Sequence, residues 1–227
     1  MKLLKLILGV FVITIFSASS GFAQFPDLGQ LSGNKTSATT GVSLQDLTKN
    51  KENTAGSYLK SMQSMALGLE TTAKAFGIQN QITDKLAIIN SLQASNISDI
   101  GISKARQASD VILGMIKAKM QTTTSLNPGS QGLFTQGITG LVSNIQNLQN
   151  LIPEAKNLLL MAQGTLTTAP LQDKLKIQDV VSTVSTLSKN IPLDLKSSQG
   201  ILSVLNSYAS THGISVPQEA INLLKVK

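Results

Sequence analysis

The chain contains no cysteine and no tryptophan, one histidine (His212) and one arginine (Arg106). Without cysteine there can be no disulfide, no thiolate metal site and no thiol nucleophile. A single histidine excludes tetrahedral zinc sites built on several imidazoles, and leaves His212 as the one imidazole base for a Ser-His-acid site. His212 sits in Ser210-Thr211-His212-Gly213, which reads as the end of a helix: an imidazole near free carbonyls, then a glycine cap. Aromatics make up 4% of the residues, too few to suggest a platform for stacking bases. A lone arginine speaks against bidentate phosphate recognition. Charge is scarce as well, at 14% of the residues. The polar surface must therefore be drawn largely from Ser, Thr, Asn and Gln.

Other reactive patterns are missing too. The 12 acidic residues are spread along the chain with no calcium-loop spacing. No Glu-x-x-His pair offers a carboxylate-rich di-metal site, and no C-x-x-C-H offers haem attachment. Met62, Met65, Met115, Met120 and Met161 suit core filling better than axial ligation. Neither phosphate-loop pattern occurs. Gly132, Gly137 and Gly140 follow no strand, and read as a close approach of one helix to a neighbour or a frayed helix start. The sequence thus carries no catalytic, cofactor-binding or metal-binding assignment. Were there acid–base chemistry, it would fall to Asp84, Asp173, Glu70 or Glu154, which helical faces alone do not bring together.

What the chain does have begins at its N-terminus. Lys2 and Lys5 precede the apolar run Leu6 to Phe16, and small residues follow up to Ala23. That is the pattern of a cleaved secretory signal peptide, residues 1–23. The apolar run is too short for a span, which takes roughly 20 residues. Export, periplasmic or secreted, from a bacterium is the expectation, since exported eukaryotic chains more often carry disulfides. Residues 24–43, with Pro26, Gly29, Gly33 and Gly41 among small polar residues, read as a flexible leader. Removing Lys2 and Lys5 leaves 17 basic against 12 acidic residues, a mild excess. The densest basic group is Lys104, Arg106, Lys117 and Lys119, but Lys104 and Arg106 fall on different helical faces. Nucleic acid is therefore not expected as a partner.

Residues 44–227 read as an all-α, up-and-down bundle of six to seven helices. Ala55, Leu59, Met62, Ala66, Leu69, Ala73 and Phe76 recur at spacings of four and three, a heptad seam closed by Gly77. Further helices are predicted near 82–92 and 102–121. Asn127-Pro128-Gly129 marks a turn before a long helix over 133–166, which Pro153 should kink or split. A fifth helix carries Leu171, Leu175, Ile177 and Val181, a sixth Ile201 to Tyr208, and Pro217 opens a short last one.

The stretch Leu59 to Pro128 returns, 89 positions on, as Leu148 to Pro217. Fourteen of the 70 paired residues are identical, including Leu69/Leu158, Ala73/Ala162, Ile112/Ile201 and Asp84-Lys85-Leu86/Asp173-Lys174-Leu175. Pseudo-repeats over about 55–128 and 144–217 suggest two similar three-helix halves, packed in one core or standing as two lobes. The shared Asp-Lys pair suits a helix start, where the dipole favours the acid. The functional expectation is an exported, non-enzymatic helical protein of the bacterial cell envelope, binding a protein partner or serving as scaffold. The alternative is a binder of an apolar small molecule or lipid, or a protein lying on an anionic membrane surface.

Overall fold

A computed structural model describes residues 42–94 and 97–225. The expected signal peptide, and the polar leader up to residue 41, lie outside the described residues. Six helices are present among them, with no strand: α1 (Leu44–Ala75), α2 (Thr83–Asn90), α3 (Asp99–Thr122), α4 (Pro128–Thr168), α5 (Leu171–Thr211) and α6 (Gln218–Lys225). A 3-10 turn, Gln79–Gln81, precedes α2. The chain is an all-α bundle, as its periodicity requires.

Local chemistry explains the helix ends. The Ser43 hydroxyl accepts the Asp46 amide at 3.1 Å and donates to the Asp46 carboxylate at 2.6 Å, closing the first turn of α1. At the other end Gly77 adopts φ +69°, the left-handed conformation that only glycine takes without penalty. Its N–H and that of Ile78 then reach back to the Lys74 and Ala73 carbonyls, a Schellman cap. Ser98 caps α3 through the Gly101 amide. Asn127 caps α4 through the Ser130 amide at 2.9 Å, with Pro128 in the first turn.

Three boundaries differ from the sequence reading. Helix α1 begins at Leu44 and runs unbroken through Asn50, Asn53 and Gly56, because Leu47, Thr54 and Ala55 anchor it in the core. Helix α4 is continuous across Pro153, and the fifth and sixth expected helices are one helix, α5, continuous across Pro192. Both prolines lie on exposed faces, where water can serve the carbonyl left without an N–H, and buried side chains on either side hold the helix.

Helix α1 is central, touching α2, α3, α4 and α5. Its predicted seam is buried apart from half-buried Leu59, and a second seam runs beside it: Thr54, Tyr58, Ser61, Met65, Gly68, Thr72 and Ala75. Two adjoining heptad seams give a helix a wide buried face, which is why α1 can take neighbours on several sides. Helix α4 runs antiparallel to α1, with Asn144 beside Ser61 and Phe134 beside Phe76. Helix α5 runs parallel to α1, with Asp194 beside Tyr58 and Tyr208 beside Phe76. Where α1 and α4 cross, a Cβ on Gly140 would stand 3.0 Å from the Gly68 Cα, and one on Gly68 would stand 2.9 Å from the Gly137 carbonyl oxygen. Gly137 and Gly140 are thus sites of close helix approach, while Gly132 has open space around it.

The structure does not confirm an internal duplication. Ile102/Ile191, Ile112/Ile201 and Leu69/Leu158 are buried in both copies. Around the shared Asp-Lys-Leu the environments reverse: Leu86 is 8% exposed and Leu175 78%, while Ile88 is 37% exposed and Ile177 1%. Leu171 and Leu175, two of the apolar residues by which the fifth helix is read, are therefore at the surface.

Candidate functional site

Helix α5 carries an unbroken buried seam: Ile177, Val180, Val184, Leu187, Ile191, Asp194, Ser198, Ile201, Leu205 and Tyr208. Asp194 is the one charged member, and it is 2% exposed. A carboxylate taken from water at this position must be answered by donors. Tyr58 of α1 donates its hydroxyl to Asp194 Oδ2 at 2.8 Å, and Arg106 of α3 donates Nε–H to Asp194 Oδ1 at 2.7 Å. Arg106 Nη2 also donates to Asn190 Oδ1 at 3.1 Å. The Asn190 amide nitrogen in turn donates to Asp99 Oδ1 at 2.6 Å and to the Thr186 carbonyl at 2.9 Å. Lys189 closes the series on Asp99 Oδ2 at 3.0 Å, near the surface. One continuous polar chain thus ties α1, α3 and α5 together, and the only arginine of the protein lies in its middle.

The electrostatics follow from position. Burial lifts the Asp194 carboxyl above its ordinary range, against the opposing pull of the Arg106 and Tyr58 hydrogen bonds. Burial likewise raises the Tyr58 hydroxyl, and the negative Asp194 beside it raises it further. Asp99 at the exposed end is held low, chiefly by hydrogen bonds from Lys189 and Asn190. Both Asp194 oxygens are occupied by protein donors, so it has no open side for a substrate. The arrangement organises helices.

A second polar site lies where α1 meets α4. Asn144, fully buried, donates through Nδ2 to the Ser61 carbonyl and hydroxyl at 2.9 Å each, and Ser61 Oγ donates to the Asn144 carbonyl at 3.1 Å. Asn144 Oδ1 is buried with no partner. On the surface along the same two helices a groove of about 250 Å³ is lined by Ser64, Leu67, Thr71, Gln136, Thr139, Gly140 and Ser143. Its lining residues are mostly Ser, Thr and Gln, with Leu67 as the large apolar side chain, but the surface they present is mainly apolar.

The residues singled out in the sequence are scattered. Asp84 and Asp173 lie in the first turns of α2 and α5, and Glu70 is exposed on α1. Glu154, half-buried on α4, has a carboxyl raised by burial. Among the described residues no three His, Asp or Glu side chains gather in a way that could hold a metal ion. His212 is the C-cap of α5, with Nδ1 2.9 Å from the Tyr208 carbonyl, its ring stacked on Tyr208 at 4.0 Å and Gly213 following at φ +66°. Lys104, Lys117 and Lys119 are exposed, while Arg106 turns into the network. Tyr58, Asn190 and Asp194 were not singled out by sequence reasoning. The signal was there, an aspartate at the sixth place of a ten-membered heptad seam, but reading α5 as two helices, one with Leu171 to Val181 and one with Ile201 to Tyr208, hides it.

No family model, no curated protein and no solved structure matches the chain. Among the described residues no helix is long and apolar enough to cross a membrane.

Proposed function

We propose that this chain is a non-enzymatic helical-bundle protein of the bacterial cell envelope, exported by its N-terminal segment and acting as a scaffold or as a binder of a protein partner. The observation that carries this reading is where the reactive side chains are spent. Arg106, Asp194 and Tyr58 satisfy one another across three helices, and His212 caps α5. A general base needs an open approach to the proton it removes, and a nucleophile needs a base within hydrogen-bond reach. The first condition fails for Asp194, buried with both carboxylate oxygens bonded; His212 bonds through Nδ1 to a main-chain carbonyl, and among the described residues no nucleophile is hydrogen-bonded to it.

The test joins location and partnership. The full gene is expressed in its own host with a C-terminal tag, and the chain recovered from the envelope is weighed and cross-linked in place. The expected result is a chain starting near Gln24 and one partner cross-linked in fixed proportion. An unprocessed chain in the cytoplasm sinks the export element. A hydrolytic or transfer activity that disappears on substitution of Asp194 would overturn the non-enzymatic reading.

A further inference from the structure

Hydrogen bonds between helices are unevenly distributed over the bundle. Five join α3 and its C-cap to α5: Arg106 donates to Asp194 and Asn190, Lys189 and Asn190 donate to Asp99, and Tyr208 donates to the Thr123 carbonyl. Among the described residues none joins α4 to α5, and α4 meets α1 through the single Asn144–Ser61 group. Helix α4 is held instead by a long apolar seam, with Phe134, Ile138, Leu141, Ile145, Leu148 and Leu151 all buried. Helix α3 touches α1, α2 and α5 but not α4, so it lies outside a three-helix body in which α1, α4 and α5 all meet one another. Its buried face is thin where the polar chain runs. Between Ile102 and Ile112 that face consists of Ala105, Ala108 and Ser109.

We infer that α3 is an arm that opens from α1 and α5 while α1, α4 and α5 stay folded together, with the chain Asp194–Arg106–Asn190–Asp99–Lys189 as its latch. The two possible separations expose different chemistry. Lifting α3 transfers Tyr58, Asp194 and Asn190 from protein partners to water, which replaces most of what each protein hydrogen bond supplies. A buried ion pair likewise offsets little more than its own desolvation. Two alanines and a serine bury little apolar area, so that part of the contact adds little resistance. Pulling α4 away would instead expose a run of leucines, isoleucines and a phenylalanine, the groups whose burial drives helices together. Units that open below the global unfolding free energy are those with few buried apolar contacts. The latch supplies position more than strength. Arg106 is seated only where Asp194 and Asn190 both accept from it, so α3 returns to one register on α5.

Native-state hydrogen exchange of the chain as its host produces it, read helix by helix at one neutral pH, tests this with three proteins: wild type, Arg106→Met and Asn144→Ala. In the wild type the slowest amides of α3 are expected to exchange at least about tenfold faster than the slowest of α1 and α4. Arg106→Met removes the latch and should speed α3 on the order of a hundredfold. Asn144→Ala weakens α1 against α4 whether α3 is closed or open. It should therefore speed the slowest α1 and α4 amides about tenfold or more and leave α3 unchanged. Equal slowest rates in α3 and α4 overturn the inference, since α3 would then be released only when the whole bundle unfolds. So does an Asn144→Ala chain in which α3 speeds up as much as α4, or an Arg106→Met chain in which α3 exchanges as in the wild type. If Arg106→Met fails to fold, the comparison of wild type with Asn144→Ala decides alone.

Discussion

Arg106 Nε lies 2.7 Å from Asp194 Oδ1, and the two residues come from helices separated by 88 positions in the chain. The guanidinium side chain is 22% exposed and the carboxylate 2%. Such a pair gives little net stability over an apolar pair of the same shape, yet breaking it from one side is expensive. Arg106→Met should therefore cost about 3–5 kcal/mol, because it strands a buried carboxylate. Adding Asp194→Leu to it should recover most of that loss. Urea unfolding of the two single variants and the double variant measures this, and additive losses would contradict it.

The two aspartates of the polar chain should respond to acid in opposite directions. Asp99 is faced by Lys189 and Asn190 of α5, and its folded pKa lies below the ordinary 3.8. Its contribution is fully present above 3.8 and is lost as the pH falls through the folded value. Asp194 is faced by Tyr58 of α1 and Arg106 of α3, and burial sets its folded pKa above 3.8. Between 3.8 and that raised value the native state holds a proton that the unfolded chain does not. Its contribution thus falls as the pH rises through that window. Unfolding free energies of wild type, Asp99→Asn and Asp194→Asn, followed from pH 7 to 3, should give difference curves of opposite slope. Curves of the same sign would show that these local environments do not govern the titration.

Much of the fold was legible because heptad spacing and caps are local signals. The α1 seam, Gly77, Asn127-Pro128 and the capping role of His212 each announce themselves within a few residues. What was hidden depended on tertiary context. The stretch between Val181 and Ile201 is assigned to no helix by the sequence reading, yet α5 runs through it, tolerating Pro192 on an exposed face between Ile191 and Asp194, and only then does the full seam emerge. The Asp-Lys-Leu match looks like a repeated helix start, yet burial of Leu86 and exposure of Leu175 depend on which side each helix offers to its neighbours. Arg106 looked like one more surface cation because its partners lie on α5.

Glycines of similar appearance should respond differently to alanine. Gly114 in α3 has nothing within 4 Å of an added Cβ, so Gly114→Ala should stabilise by about 0.5–1 kcal/mol through helix propensity. Gly137→Ala would press on Thr72 and on the Gly68 carbonyl oxygen, so overpacking should cost about 1–3 kcal/mol. Gly77→Ala forces a side chain into positive φ, with a loss of about 1–2 kcal/mol. Thermal unfolding should place Gly114→Ala above the wild type and the other two below it. A stabilised Gly137→Ala would mean that α1 and α4 stand further apart than described.

The Asn144–Ser61 contact offers a sharper test of what a buried polar group contributes. Asn144 makes two donor bonds through Nδ2, while its Oδ1 is sealed from water without a donor. An unsatisfied buried acceptor costs about 1–3 kcal/mol, comparable to what the two donor bonds return. Ser61 keeps its own bond to the Asn144 main-chain carbonyl whatever side chain stands at 144. Asn144→Leu, of similar size and without the orphan oxygen, should then lie within about 1 kcal/mol of the wild type. Asn144→Ala removes the same bonds and also opens space against Ser61, so it should lose about 2 kcal/mol or more. Chemical denaturation of the pair decides it. If leucine is as damaging as alanine, the amide is worth more than its bonds indicate, and a donor for Oδ1 must be present in solution.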